Sequence, residues 1–187
     1  MFRAMAEAVS EKGYAQTSVA DVLRRARVSR ETFYQQFSSK QDCFIAAYEQ
    51  AADMILVLLE REASSKGTPL ERFDRTIGFY LEALSTEPAL ARLFMVDVYS
   101  AGDHVLERRA EIQQRFTALI IDGFGARGQT ERFACEALVA AIITMVTARL
   151  AAGDIEGLPA LRGPLTDLVR VAVARASGSA HRQRRRG

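Results

Sequence analysis

Apolar residues recur at helical spacing along nearly the whole chain, and no segment makes a convincing strand. Phe2, Met5, Ala6 and Val9 form the first stripe, and Gly13 follows where a helix can end with positive φ. Val19, Val22, Leu23 and Ala26 form the second, and Phe33 and Phe37 face one way on a third, short helix. A longer helix over 40–63 carries Phe44, Tyr48, Ala51, Ile55 and Leu58; another over 69–86 carries Leu70, Phe73, Ile77, Tyr80, Leu81 and Leu84. Pro88 opens a shorter helix. Further helices are predicted over about 103–124, 130–152 and 165–176, the last after a connector from 153 to 164 that holds Gly and Pro. The chain is therefore all-α, with about nine helices.

Three of the helix starts carry capping chemistry. Ser18 precedes Asp21, and Ser39 precedes Asp42, at the spacing where hydroxyl and carboxylate satisfy each other's orphan amides. Ser29 can cap the helix between them. Two short helices then meet at a tight turn around Arg27, inside a compact three-helix head. Away from Phe33 and Phe37, the second short helix presents Arg30, Glu31, Thr32, Tyr34, Gln35 and Gln36. Arg can pair with guanine O6/N7, Gln with adenine N6/N7, and a Thr methyl can touch thymine. Tyr34, Thr17 and Lys40 are placed to hold phosphates, and Ser18 and Arg27 complete the expected DNA-contacting set. From Asp21 to Lys40 there are five basic and two acidic residues, although the net charge of the chain is only +2. Charge alone would describe a solvated face equally well. The turn, the caps and the side-chain set together point to DNA.

The segments Glu11-Lys12-Gly13-Tyr14, Thr17-Ser18-Val19, Asp21-Val22, Val28-Ser29, Thr32-Phe33-Tyr34, Phe37 and Ser39-Lys40 stand at fixed spacing. Through them residues 4–48 resemble the helix-turn-helix of the tetracycline-repressor (TetR) family of transcriptional regulators. The resemblance implies that residues 29–37 form the recognition helix. Arg30, Thr32, Tyr34, Gln35 and Gln36 would then touch bases or backbone, and Lys40 would grip a phosphate. It also implies a homodimer of helical subunits whose C-terminal domain binds a small molecule and releases DNA. The expected function is a ligand-responsive repressor, freed from a palindromic operator by a small, mostly apolar molecule. Two positions depart from the family pattern. Arg27 stands where the family usually has Gly; at positive φ it carries about 1 kcal/mol more strain. Either the turn avoids that region or the strain is tolerated and adds a phosphate contact. Met1 falls inside the expected first helix, so the family's basic arm has no counterpart; a start further upstream explains this equally simply.

The expected organisation is a DNA-binding head over 1–45, a helical effector-binding and dimerisation domain over 46–177, and a basic, disordered tail over 178–187. The middle helices hold Phe79, Tyr80, Phe94, Met95, Tyr99, Phe116, Met145 and His104. These are either core or the lining of an apolar effector pocket with a few polar handles. From 133 to 150 nearly every face is apolar and small residues abound, as in a helix buried on more than one side. Leu138, Ala141, Ile142 and Met145, with Leu165, Leu168, Val169 and Ala172 on the last helix, are the expected dimer contacts. A purely intramolecular core is the alternative. Two-fold pairing would let two heads reach successive major grooves, about 34 Å apart.

At 187 residues and 49% hydrophobic content the chain can bury a sizeable core, and its Ala- and Leu-rich composition favours helix. It has no paired metal-ligand spacing, no phosphate-cradling glycine loop and no nucleophile motif, so neither enzyme, metal nor cofactor is expected. Cys43 and Cys135 lie far apart in sequence, as in a reducing compartment. No signal peptide is visible, and the most apolar stretch, 137–148, is shorter than a membrane span. A cytoplasmic address without membrane partners follows. Cys43, in a helix's first turn, leaves a thiol redox switch as an alternative sensor. A regulator without a ligand, and a helical interaction module without DNA binding, are the others.

Overall fold

A computed structural model describes the backbone of residues 1–184 and the side chains of residues 1–174. Among the described residues there are nine α-helices, two short 3-10 turns and no strand. Helix α1 (Phe2–Gln16) buries Met5, Ala6, Ala8 and Val9 and is broken at Gly13, whose φ of 78° a side chain would strain. Helix α2 (Val19–Ala26) opens with the expected reciprocal cap. The Ser18 N–H donates to the Asp21 carboxylate at 2.9 Å, and the Asp21 N–H donates to Ser18 Oγ at 3.3 Å. Arg27 ends α2 in the left-handed region (φ 55°, ψ 42°), where it is the one non-glycine residue with positive φ among those described. The strained alternative for this turn is the one the chain adopts. Helix α3 (Arg30–Gln36) is capped by Ser29 Oγ, which accepts from the Thr32 N–H at 3.0 Å.

Helix α4 (Lys40–Ala63) starts with a variant of the expected cap. Ser39 Oγ accepts from the Asp42 N–H at 3.0 Å, but the Asp42 carboxylate turns to the Ser38 N–H at 2.8 Å. With 24 residues, α4 is about 36 Å long. It runs from the head's core at Cys43 and Phe44 into the body, so a boundary at residue 45 falls inside one uninterrupted helix. The buried apolar cluster is likewise continuous from Met5 in α1 to Val169.

The body consists of α5 (Pro69–Thr86), α6 (Pro88–Met95), α7 (Asp103–Phe124), α8 (Gln129–Ala152) and α9 (Arg162–Arg184). Helix α1 lies on α6 and on the 3-10 turn Asp97–Ser100; α4 packs on α5 and α7, α8 on α6 and α7, and α9 on α5. Named pairs hold these layers in register. Arg108 bonds Glu49 at 2.5 Å and Arg115 bonds Asp53 at 3.0 Å, fastening α7 to α4. Arg162 grips Asp74 with two N–H groups at 2.7 and 3.1 Å, and Thr166 donates to the same carboxylate at 2.9 Å. Gly78 makes room for that guanidinium, which would stand 3.0 Å from a Cβ there.

Three expectations for the C-terminal part need correcting. Helix α8 starts at Gln129, one residue before the expected 130, and Glu131 caps it by accepting from the N–H groups of Arg127 and Gly128 at 2.9 and 3.1 Å. By length and composition α8 can cross a membrane, unlike its 137–148 core considered alone. Helix α9 begins at Arg162, led in by the 3-10 turn Pro159–Leu161, and Pro164 sits in its first turn, where a missing N–H is tolerated. It continues past residue 176 to Arg184, because Ala, Arg and Gln sustain helix. The segment expected to be a disordered tail is thus helical over its first seven residues; residues 185–187 lie outside the described ones.

Candidate functional site

Two sites take shape: an exposed helix face in the head and a channel in the body. In the head, Phe33 is fully buried and packs edge-on against Tyr34 and obliquely against Phe37. This fixes the rotation of α3 and turns Arg30, Glu31, Gln35 and Gln36 outward. None of these four makes a hydrogen bond or ion pair among the described residues. Tyr34 is 48% exposed, and Thr32, half-buried, shares a hydroxyl contact of 2.9 Å with Ser29. The face is polar, solvent-facing and rigidly held by its apolar reverse side.

Of the five basic residues from Asp21 to Lys40, two are neutralised within the fold. Arg24 bonds Asp21 at 2.8 Å, and Arg25 pairs with Glu11. Lys12 adds a 2.6 Å contact to Asp21. That lysine, then Ser18, holds the Asp21 carboxyl well below the usual carboxylate range. Arg27 and Arg30 remain as exposed cations without a partner among the described residues. Lys40 is intermediate. Its ammonium donates to the Tyr14 carbonyl at 2.9 Å and lies 4.1 Å from the centre of the Tyr14 ring, and desolvation pushes its pKa down.

Thr17 corrects the expected phosphate set. It is 3% exposed and its hydroxyl reaches the carbonyls of Ala8 and Gly13 at 3.1 and 2.8 Å. A side chain used to tie the broken end of α1 together is not free to hold a phosphate. Ser18 stays exposed, although its hydroxyl serves the α2 cap.

In the body, α4 to α8 enclose a channel with a free volume of ≈ 90 Å³. Its walls run from Tyr48 to Ala63 along α4 and from Arg109 to Phe124 along α7. Fifteen residues of helix span about 22 Å, so the space is long and narrow. Phe73, Thr76, Ile77 and Tyr80 form the α5 wall, Phe94 and Met95 the α6 wall, and Val139, Ile142 and Ile143 the α8 wall. Tyr48 stacks on Phe94 at 4.9 Å and Phe94 meets Phe116 edge-on at 6.3 Å. Arg109 and Gln113 stand near one end, Arg72 near the other.

Of the expected ligand residues, Tyr80, Phe94, Met95 and Phe116 line this channel, and four do not. Phe79 faces outward from α5, one position before Tyr80 of the inward stripe. Tyr99 is 52% exposed on a 3-10 turn, with the Arg109 guanidinium 4.7 Å from its ring centre. His104 is exposed at the start of α7 beside Glu107. Met145 points away from the inward face of α8. The missed wall residues include Tyr48, Phe73, Ile112, Arg72 and Arg109. For Arg109 a signal existed: it interrupts the apolar stripe Val105, Ile112, Phe116 at helical spacing, where a charge demands a reason.

The expected dimer contacts also divide. Ile142 lines the channel, and Leu165 and Val169 pack inside the subunit, so these three are core. Leu138 and Ala141 are half-buried, whereas Met145, Leu168 and Ala172 are exposed. Around them the outer faces of α8 and α9 expose Phe133 (68%), Ala134, Ala137, Ala140 and Val171.

Cys43 is buried, and burial pushes its thiol up to about 11, away from the thiolate a redox sensor needs. Burial likewise raises the Cys135 thiol. Among the described residues no group of His, Cys, Asp and Glu could hold a metal ion.

Residues 2–47 match the family model of bacterial regulatory proteins of the tetR family. The HTH-type transcriptional regulator AcrR of Shigella flexneri is 30% identical over 152 residues, which cover 80% of this chain and 70% of that protein. The fatty acid metabolism regulator protein of Bacillus subtilis (strain 168) is 23% identical over 125 residues, 67% of this chain; the matched part spans just under two thirds, 64%, of that relative. Among solved structures, the fatty acid degradation regulator FadR from Bacillus halodurans superposes with a TM-score of 0.78 at 18% identity, covering 89% of this chain and 94% of that one. FadR from Bacillus subtilis in complex with stearoyl-CoA gives 0.77 at 20% identity with the same coverage.

Proposed function

Because this chain belongs to the tetR family of bacterial transcriptional regulators, and so is a DNA-binding regulator, we propose that it is a repressor released from its operator by a slender apolar ligand. The observation that carries this reading is the α3 face, where long polar side chains stand outward from a buried aromatic anchor. In the proposed complex α3 enters the major groove with Arg30, Thr32, Gln35 and Gln36 toward base edges. Ser18, Arg27, Tyr34 and Lys40 stand at the margins, where phosphates fix the orientation, and Glu31 turns to a base edge, where a carboxylate can accept from cytosine N4. Thr17 supports this face from inside the fold.

A second copy of the chain covers the exposed apolar faces of α8 and α9 in this proposal. Phe133, Ala137, Met145, Leu168 and Ala172 then leave water, and small residues let two α8 helices approach closely. The same cover accounts for a helix that is apolar on both sides yet belongs to a DNA-binding regulator.

The effector in this reading is a straight hydrocarbon chain of the acyl type. Mostly apolar walls running about 22 Å along α4 and α7 suit an extended chain better than a compact ring system. The Bacillus subtilis protein solved with stearoyl-CoA shares this fold, which lends the idea support. Work beside DNA in the bacterial cytoplasm accords with relatives that are transcriptional regulators rather than enzymes.

Selection of bound sites from a random duplex pool tests the reading. A palindrome recovered with a protein that elutes as a dimer, and loss of that complex on adding dodecanoyl-CoA, is the expected result. A strict monomer, or a pool without enriched sequence, contradicts it.

A further inference from the structure

The two ends of the channel differ in what they offer a ligand. Near Ala63 and Phe124, the outer nitrogens of Arg72 are taken by the carbonyls of Gly67 at 2.7 Å and Gly123 at 2.9 Å, which leaves only its buried Nε without a partner. Near α6 the polar groups are largely unused. The Tyr48 side chain is 1% exposed and its hydroxyl has no hydrogen-bond partner among the described residues. The Tyr80 hydroxyl reaches only Met95 Sδ at 3.6 Å, a weak acceptor. Arg109 gives Nη1 to Gln113 at 3.3 Å and leaves its other N–H groups without a protein acceptor.

These three groups line the same channel, where Tyr48 stacks on Phe94 and Tyr80 reaches the neighbouring Met95. The charge of Arg109 acts on both phenols, and the Tyr48 phenol acts on that of Tyr80. Burial pushes both phenols far above their ordinary value, so each stays a neutral O–H donor at any physiological pH. Donors held in an apolar wall without acceptors are uncommon in native structures. An arriving oxygen would complete them.

We propose that Tyr48, Tyr80 and Arg109 form the head-group subsite of the channel, donating to the acceptor oxygens of a single-chain acyl ligand whose hydrocarbon lies toward Phe73 and Phe124. This rests on the acyl-chain reading above and adds an orientation and a recognised group. A carboxylate and a thioester carbonyl present the same acceptor chemistry. Arg109 is half-buried beside exposed Tyr99, so this end of the channel lies near the surface.

The test uses the full chain with dodecanoate, dodecanoyl-CoA and dodecane, read by calorimetry for the first two and by thermal shift for all three. Arg109→Gln and Tyr48→Phe are expected to weaken the headed probe by about tenfold to a hundredfold, with stabilisation by dodecane unchanged. Arg109→Lys should retain part of the affinity. Dodecanoate responding identifies a free acid; dodecanoyl-CoA alone responding identifies the thioester. Ile142→Trp, which fills the channel, should remove all three. Equal weakening of every probe in Arg109→Gln, or none, overturns the subsite while leaving the channel reading in place. No binding of any probe to the unmodified chain overturns both.

Discussion

The polar face of α3 and the channel are built by contacts of opposite range. Every exposed residue of the α3 face lies within seven positions, and its orientation depends on one anchor, Phe33, and on caps no more than three residues away. The channel draws its wall from five helices between Tyr48 and Ile143. Each wall residue has neighbours that only the folded chain brings near. The face is ordered by near neighbours within a head whose α1 packs on α6, whereas the cavity depends on every helix that borders it.

Two buried aspartates extend the contrast. In the head, Asp21 is surrounded by Lys12, Ser18 and Arg24, and its carboxyl is stabilised as the anion. In the body, Asp97 lies on the turn between α6 and α7, where burial pushes its carboxyl up and Arg92 stands 3.9 Å away. One Asp97 oxygen and the Arg92 Nε are both buried without a hydrogen-bond partner. The head's buried carboxylate is fully met by its neighbours; the body's keeps an imperfect pair beside the helix that borders the channel.

The largest expected effect comes from emptying each core. Phe33→Ala should destabilise the fold by about 3–5 kcal/mol, because the ring is fully enclosed and sets the rotation of α3. Ile142→Ala should cost about 2 kcal/mol, the low end for such a truncation, since its side chain already borders free space. Urea unfolding curves of the two variants measure the difference. The reverse order would break the comparison.

A smaller effect is expected at the turn. Arg27→Gly relieves left-handed strain but gives the unfolded chain more freedom, so stability should change by less than about 1 kcal/mol. Duplex affinity should fall uniformly across sequences, and the salt slope should decrease by about 1. Titrations at several salt concentrations read this out; an unchanged slope would remove Arg27 from the phosphate contacts.

Much of the head was legible in the sequence because its signals are local. Ser18 with Asp21, Ser29 at the start of α3, and Phe33 with Phe37 each act within a few positions, and each does what its spacing implied. Thr17 escaped because its acceptor at Ala8 lies nine residues away, across the broken end of α1. In the body, apolar spacing located the helices but not which of two apolar faces turns inward. Phe79 and Tyr80 are adjacent, yet only Tyr80 reaches the channel. On α8 both faces are apolar, so Ile142 and Met145 could not be told apart until α6 and α7 were in place. Asp42 choosing Ser38 over Ser39 is a one-residue shift that spacing alone does not resolve.

The smallest effects are those of pH, and they have opposite signs. Asp21 is held below its ordinary value, so its stabilisation is present above about pH 4 and is lost as pH falls further, through its folded value. Asp97 is raised, so its penalty is absent below about pH 4 and grows as pH rises through its folded value. Asp21→Asn should therefore lower the Tm at pH 7 and do little in strong acid. Asp97→Asn should raise the Tm slightly at pH 7 and likewise do little in acid. Tm against pH for both variants checks the signs, and parallel curves would erase the distinction between head and body.

The most direct test of the central claim is a titration of the selected operator and a scrambled duplex with the unmodified chain and with Arg30→Ala/Gln35→Ala. Each bidentate base contact carries about 1–3 kcal/mol of discrimination, so the double variant should bind the two duplexes nearly alike while keeping its fold and its affinity for dodecanoyl-CoA. An undiminished preference for the operator would mean that α3 does not read it.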